Sequence, residues 1–499
     1  MFLNAKKMMN TPNIIISTVM WEFFSVFGMR ALLVLYLTQK LNFSDENAFN
    51  IYAAYISLIW VSPLIGGWLV DQYLDFKKGV YLGSFLIILG HITLALPNEM
   101  ALFVGLSLII CGIGFFKTSS ICLLGDYYKT NPKKMTAGMT IYYVGGNIGA
   151  TLAPIVCAYI EVLYGYALAF SVAGFGMILG LSIFYLFHKQ LPSNLIDLNS
   201  KKNNFSISQL RLKQILGIVL SFIIVILAIS WVIESNNTLY ILSLVYLIAA
   251  IILFKKIKNI DIKVKKSLLN ILFLTLVATF FWILDQQGGS SISLFILRNV
   301  QKAGIPTGAF QAINPLVIII GGFLLAIFIQ KKVKNAKKIN EKTDFIKIIA
   351  GLLLLTFGYV IITWGAQMAS FSGKVSFWMP VIALSFIGIA EIFIDPVILS
   401  KINREIPREL LGTVTAIYYL FVGALANFLS GKVANLSVIP DSIVQSNNLK
   451  LSASIYFSLF SQITLVGILA VGLLIIIFLL NRLKSVSIKT MNFAFLRKL

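Results

Sequence analysis

The chain is 499 residues long, 58% hydrophobic and only 12% charged, with 41 Lys and Arg against 19 Asp and Glu. Soluble globular proteins carry about 25% charged residues, so a water-soluble fold is excluded. A net charge of +22 would raise the question of nucleic acid in a soluble protein. Here Lys and Arg gather in the short gaps between apolar runs, where insertion bias places them on the cytoplasmic side. The charge reports topology, and no nucleic-acid partner is expected.

In chain order, Lys6 and Lys7 precede an apolar run that continues from near Ile14 to Tyr36 without a small-residue cleavage site. A retained first helix is therefore expected. Apolar segments then cover approximately 13–39, 48–71, 79–97, 101–124, 135–160 and 166–187. After a polar stretch, two shorter segments follow near 214–233 and 238–254, then six more near 267–288, 308–330, 345–367, 376–400, 409–433 and 454–481. Each is about long enough to cross a bilayer. The chain reads as an all-α membrane protein of about 14 transmembrane helices: a six-helix bundle over 1–187, a linker with two additional helices over 188–266, and a second six-helix bundle over 267–499. Lys40, Arg298, Lys302, Lys374, Lys432 and Lys450 fall outside by this topology, and both termini are cytoplasmic.

Ile65-Gly66-Gly67-Trp68-Leu69 recurs as Ile320-Gly321-Gly322-Phe323-Leu324 in the second helix of the later block. Ile141-Tyr142-Tyr143 recurs as Ile417-Tyr418-Tyr419 in the fifth. Two duplicated halves are the pattern of carriers that rock about a site at the repeat interface.

The charges inside the spans carry the functional reading. Arg30, Lys117, Glu22, Asp285, Glu391 and Asp395 lie well within apolar runs, where an unpaired charge costs at least about 2.5–3.5 kcal/mol. Glu22 and Arg30 stand eight residues apart on similar faces of helix one, with Lys117 as a third member of a net positive cluster. Asp285 and Glu391 give the later half the opposite sign. Pairing across the interface would serve only to hold the bundle together. A cavity between such walls would suit a zwitterion, with Arg30 donating in parallel to a carboxylate. Asp71 and Asp126 begin basic turns and read as gate or hinge residues. Asn147 within Tyr143-Val144-Gly145-Gly146-Asn147-Ile148-Gly149, Asn314-Pro315, Pro154, Pro396 and the run Gln286–Ser291 mark helices expected to bend or open. Trp60, Tyr143, Trp282 and Tyr418 are candidate pocket aromatics.

His91 and His188 cannot build a metal site, and Cys111, Cys122 and Cys157 lie apart without metal-ligand spacing. No catalytic constellation or channel filter is legible, so neither an enzyme nor a channel is expected, and no cofactor.

Several of these residues resemble a known family. Trp21-Glu22-Phe23-Phe24-Ser25 through Phe27-Gly28-Met29-Arg30 is similar to the first helix of the proton-dependent oligopeptide transporters. Gly66-Gly67-Trp68-Leu69-Val70-Asp71, Gly114-Phe115-Phe116-Lys117, Leu124-Gly125-Asp126-Tyr127, Tyr142 through Gly149, Asn314-Pro315-Leu316 and Glu391 with Pro396-Val397 extend the likeness along most of the chain. The resemblance implies a major facilitator fold and import of dipeptides and tripeptides by proton symport across the bacterial inner membrane. It implies that Arg30 and Lys117 hold the peptide carboxylate and that Asn147, Asn314 and Glu391 hold the amino terminus. It assigns Glu22, Asp285 and Glu391 to proton coupling. The family's ExxER pattern survives only as Glu22, with Val19 and Phe23 in the other charged places, and Val26 and Trp60 stand where many members have tyrosines. An uncoupled or differently coupled carrier of another anion or zwitterion is the alternative. No oligomer signal is legible, and a monomer is expected.

Overall fold

The computed structural model describes residues 10–129, 132–191, 212–235, 237–257, 260–333 and 341–496. Lys6, Lys7 and the polar stretch 192–211 lie outside them. Among the described residues, twelve helical spans are long and apolar enough to cross a membrane. Phe76–Leu94 and Leu212–Glu234 bring the set to the fourteen expected.

The first six are α1 (Thr11–Gln39), α2 (Asp45–Tyr73), α3 (Phe76–Leu94), α4 (Glu99–Tyr128), α5 (Pro132–Tyr164) and α6 (Tyr166–Leu186). Short polar side chains set where they start: Asn10, Ser44, Asp75 and Asn98 each accept a hydrogen bond from the backbone N–H three residues on. That satisfies one of the donors every helix leaves orphaned at its N-terminus. Glycines then bring the helices together. A Cβ at Gly66 would overlap the backbone of Gly114, and one at Gly149 the carbonyl of Met20. The Tyr143–Gly149 run and Pro154 lie within α5, which stays helical from Pro132 to Tyr164, and the glycines of the run serve close contact with α1.

Next comes a hairpin, α7 (Leu212–Glu234) and α8 (Thr238–Ile257), with one leg against each half. Ser230 Oγ lies 2.9 Å from Ser107 Oγ of α4, and Phe222 stacks on Phe115. The Tyr246 hydroxyl on α8 donates to the Leu420 carbonyl at 2.6 Å, and Lys256 Nζ to Thr413 Oγ1 at 2.8 Å.

The later helices are repeatedly interrupted. Helix α9 (Ile262–Asp285) tightens into a 3₁₀ turn at Gln286–Gly289 before α10 (Ser291–Asn299). A second 3₁₀ turn, Thr307–Ala312, leads into α11 (Ile313–Val333), with Pro315 in its first turn. After α12 (Glu341–Ser372), residues 392–394 break the next span into α13 (Trp378–Glu391) and α14 (Asp395–Glu405), Pro396 opening the second piece. A π-helical turn at Leu420–Leu425 separates α15 (Arg408–Tyr419) from α16 (Ala426–Ala434). The short α17 (Asp441–Gln445) precedes the last helix, α18 (Leu449–Leu496). The glycine repeat has unlike surroundings in the two blocks, since a Cβ at Gly322 would meet nothing within 4 Å.

The two ends of the bundle differ. At the end opposite the basic turns, Arg298 of α10 donates two parallel hydrogen bonds to Asp45 of α2 at 2.6 and 2.7 Å, and one to the Tyr456 hydroxyl at 3.0 Å. Asn50 Oδ1 accepts from Lys432 Nζ and Asn435 Nδ2, both at 3.1 Å. Along α2, residues 51–59 are buried, whereas Ile65 and Trp68 nearer the basic end are 59% and 56% exposed. The bundle is sealed at the end opposite the basic turns.

Candidate functional site

The ionisable residues inside the spans meet at mid-height between the two sets of helices. Arg30 on α1 donates from Nε to the Tyr52 hydroxyl of α2 at 2.8 Å and from Nη2 to Gln286 Oε1. Its guanidinium also lies 5.4 Å from the Phe27 ring centroid. Gln286 sits where α9 gives way to the 3₁₀ turn, and its amide donates to Asp285 Oδ2 at 3.1 Å. Asn314 Nδ2 donates to the other oxygen, Oδ1, at 3.2 Å. A polar chain thus runs Arg30–Gln286–Asp285–Asn314 from one half to the other. Breaking α9 at Asp285 is what frees this part of the chain to turn its side chains inward.

Glu391 closes α13 and accepts from the Tyr143 hydroxyl of α5 at 3.0 Å, a second link between the halves. Tyr143 is 48% exposed. Four residues on, Asp395 opens α14 and accepts from Trp282 Nε1 at 2.9 Å and from the Tyr418 hydroxyl. Asp285, Glu391 and Asp395 act electrostatically on one another, and Arg30 acts on the first two. Three carboxyl groups therefore share one wall, with Arg30 facing them.

Lys117 of α4 keeps the expected electrostatic interaction with Glu22 and also meets an aromatic ring. Its ammonium lies 4.1 Å from the centroid of Trp60, a cation–π contact, and Trp60 in turn stacks on Tyr419 at 5.9 Å. Lys117 acts electrostatically on Glu22, while Arg30 is engaged with Tyr52 and the later half. The cations are divided between two levels of the site. Asn147 is buried and spends its amide on the Tyr143 carbonyl of its own helix at 2.9 Å, and Thr151 caps the Asn147 carbonyl. Asp126 pairs with Lys129, and Asp71 is exposed at the basic end.

Sequence reasoning passed over Tyr52, did not give Asp395 a role, and treated Gln286 only as part of a flexible run. The spacing of Tyr52, Tyr55 and Trp60 on one apolar helix was the available signal for the first. His91 is fully buried against Ser25, its Nε2 2.7 Å from the hydroxyl. No group of three or more His, Cys, Asp or Glu that could hold a metal ion occurs among the described residues.

The chain is 26% identical over 478 residues to dipeptide and tripeptide permease A of Pectobacterium carotovorum subsp. carotovorum (strain PC1), an alignment covering 94% of this chain and 91% of the permease. It is similar in structure, with a TM-score of 0.78 and 25% identity, to a chain solved in work on substrate recognition in proton-dependent oligopeptide transporters, covering 95% of this chain and 98% of that one. Tetrameric PepTSo2 shares the fold at a TM-score of 0.75 and 24% identity, over 94% of this chain and 98% of that one. The POT family model matches residues 77–449. With a major facilitator architecture of this kind and a family match over most of its length, the chain belongs to the POT family of membrane transporters.

Proposed function

We propose that this protein imports dipeptides and tripeptides by proton symport across the bacterial inner membrane, with its basic end and both termini in the cytoplasm. The reading divides the chain into bundles at 1–187 and 267–499 with the α7–α8 segment between them. It takes one chain as the transporting unit.

The observation that carries the reading is the separation of charge across the site. Arg30 and Lys117 belong to one wall and Asp285, Glu391 and Asp395 to the other. A peptide zwitterion lying across the gap sets its carboxylate toward Arg30 and Lys117 and its ammonium toward Glu391, with Asn314 and Asn147 alongside. Trp60, Tyr143 and Tyr418 border the side chains.

The cycle follows from what the substrate must displace. Arg30 is engaged by Gln286 and acted on by Asp285, so a peptide carboxylate competes with the opposite wall for the same guanidinium. Protonation of Asp285 or Glu391 removes negative charge from that wall and releases Arg30 to the substrate. Loss of the proton on the cytoplasmic side restores the competition and expels the peptide. Tyr143–Glu391 links the walls in the state described here, which is sealed by Asp45–Arg298. Rocking to the other state breaks the Asp45–Arg298 seal and shifts the populations according to which groups hold protons.

Competition against uptake of a labelled dipeptide into proteoliposomes tests the site. Unmodified dipeptides and tripeptides should compete, whereas an N-acetylated dipeptide and a dipeptide amide should each lose about tenfold or more in affinity, the scale of one charge-assisted contact. Equal competition by the blocked peptides would remove the charge-separation argument.

A further inference from the structure

One helix carries the two aromatic rings that meet the site cations most directly. Tyr52 and Trp60 stand eight residues apart on α2, close to two turns and hence on similar faces, about 12 Å apart along the axis. The Arg30 guanidinium lies 5.9 Å from the Tyr52 ring centroid, and the Lys117 ammonium 4.1 Å from that of Trp60. Each ring thus has a cation of its own half beside it.

From the other half, a glycine in a helix break lies against each ring. A Cβ at Gly289, in the 3₁₀ turn after α9, would overlap the Tyr52 hydroxyl. One at Gly423, in the π turn after α15, would overlap three atoms of the Trp60 indole. Gly423 follows Tyr419, on which Trp60 stacks, by four residues. Any side chain at either glycine would push the ring away from the break.

Both seats are tied to α16. A turn that departs from α-helical bonding leaves backbone groups to be satisfied elsewhere, and Asn427 Nδ2 donates to the Gly423 carbonyl at 2.6 Å. Gln287 Nε2, in the same turn as Gly289, donates to the Ser430 carbonyl and to its hydroxyl, both at 3.0 Å. Gln286 of that turn also accepts from Arg30. The turn that seats Tyr52 therefore grips the cation beside it as well.

We propose that Gly289 and Gly423 are positioning residues for the two cations. Each leaves room at a helix break for one ring of α2, and the seated ring holds Arg30 or Lys117 where the substrate carboxylate meets it. The breaks in the later half thereby set the place of the positive charge in the earlier one. The inference deepens the peptide reading and rests on it.

Gly423→Ala adds one methyl at the seat and removes nothing. In proteoliposomes under an inward proton gradient, KM for a labelled dipeptide should rise about fivefold, the scale of a displaced cation–π contact. The maximal rate should stay within about twofold of the parent. In a Trp60→Leu background the same substitution should add no further rise. Gly412→Ala, on α15 where a Cβ meets nothing within 4 Å, should change neither quantity. Gly289→Ala tests the other seat: KM should rise likewise, and part of that rise should disappear in a Tyr52→Phe background, which lacks the atom the methyl meets first. In detergent without peptide, the emission of Trp60, read as the difference between a protein and its Trp60→Leu counterpart, should move to longer wavelength with Gly423→Ala. Unchanged KM and emission, or a KM rise that multiplies with that of Trp60→Leu, would overturn the proposal. So would a fall in maximal rate and Tm with KM unchanged, which marks packing alone. Failure of the parent chain to take up dipeptide would instead overturn the peptide reading, and the emission comparison would then decide the seat by itself.

Discussion

The two six-helix sets solve the same packing problem in opposite ways. In α1–α6 the backbone stays regular, and glycines such as Gly66 and Gly149 bring helices into backbone contact. In the later set the helices break at Gln286–Gly289, at residues 392–394 and at Leu420–Leu425. Each break adjoins an acidic or aromatic site residue: Asp285, Glu391 with Asp395, and Tyr418 with Tyr419. The cations Arg30 and Lys117 stand on the regular wall. The difference teaches that the regular half holds Arg30, Lys117 and Glu22 on unbroken helices, while the other places Asp285, Glu391 and Asp395 where the backbone is least constrained. A change of protonation can then be converted into movement of the chain, because interrupted helices have fewer i to i−4 bonds to lose.

The seal at the closed end is the largest single test of how the halves are held. Arg298→Ala leaves Asp45 buried without its two hydrogen bonds, a loss of about 3 kcal/mol or more for a buried pair broken on one side. Thermal unfolding of the purified protein should show a clear drop in Tm. Combining Asp45→Arg with Arg298→Asp should recover part of it. An unchanged Tm in the single variant would show that the pair contributes nothing.

Arg30→Ala comes next. It removes the donors to Tyr52 and Gln286 together, so uptake should fall about 100-fold with membrane insertion intact. Arg30→Lys should recover little, because an ammonium cannot reproduce the planar fork. Near-normal uptake by either variant would break the claim that the regular wall anchors the substrate carboxylate.

A smaller effect should follow from Trp60→Leu, which removes the face under Lys117. Loss of a contact of about 1–2 kcal/mol predicts a rise in KM of roughly 5- to 30-fold with little change in maximal rate. A fall in rate with KM unchanged would place Trp60 in the conformational step instead.

Tyr246→Phe should have the smallest effect. It frees the Leu420 carbonyl at the π turn, worth about 1 kcal/mol, and should lower Tm by a few degrees at most while leaving dipeptide affinity unchanged. A large change in uptake would show that the α7–α8 hairpin governs the rocking of the halves.

Much of this arrangement was legible beforehand. Runs of apolar residues of bilayer length located the helices, and the high cost of intramembrane charge singled out Arg30, Lys117, Glu22, Asp285 and Glu391. Proline and glycine located the breaks near Asn314, Pro396 and Gln286. In α5 the glycines bring the helix against α1, and a glycine run that lets helices touch looks no different, in one sequence, from one that lets a helix bend. Partnerships were the least legible part. Nothing along the chain says that Arg30 meets Gln286, 256 positions away, or that Lys117 lies over Trp60. Those depend on which faces two separately formed bundles present to each other. Arg298 read as an outside cation, and only its fork around Asp45 shows it to be a seal.

The most direct test of coupled transport is accumulation of a labelled dipeptide in proteoliposomes with and without an inward proton gradient. Accumulation above the outside concentration with the gradient, and only equilibration without it, is the expected result. It would show that Glu22, Asp285 and Glu391 couple proton to peptide although the ExxER pattern keeps a single charge. Uptake that equilibrates identically under both conditions would contradict the account and make the protein an uncoupled carrier.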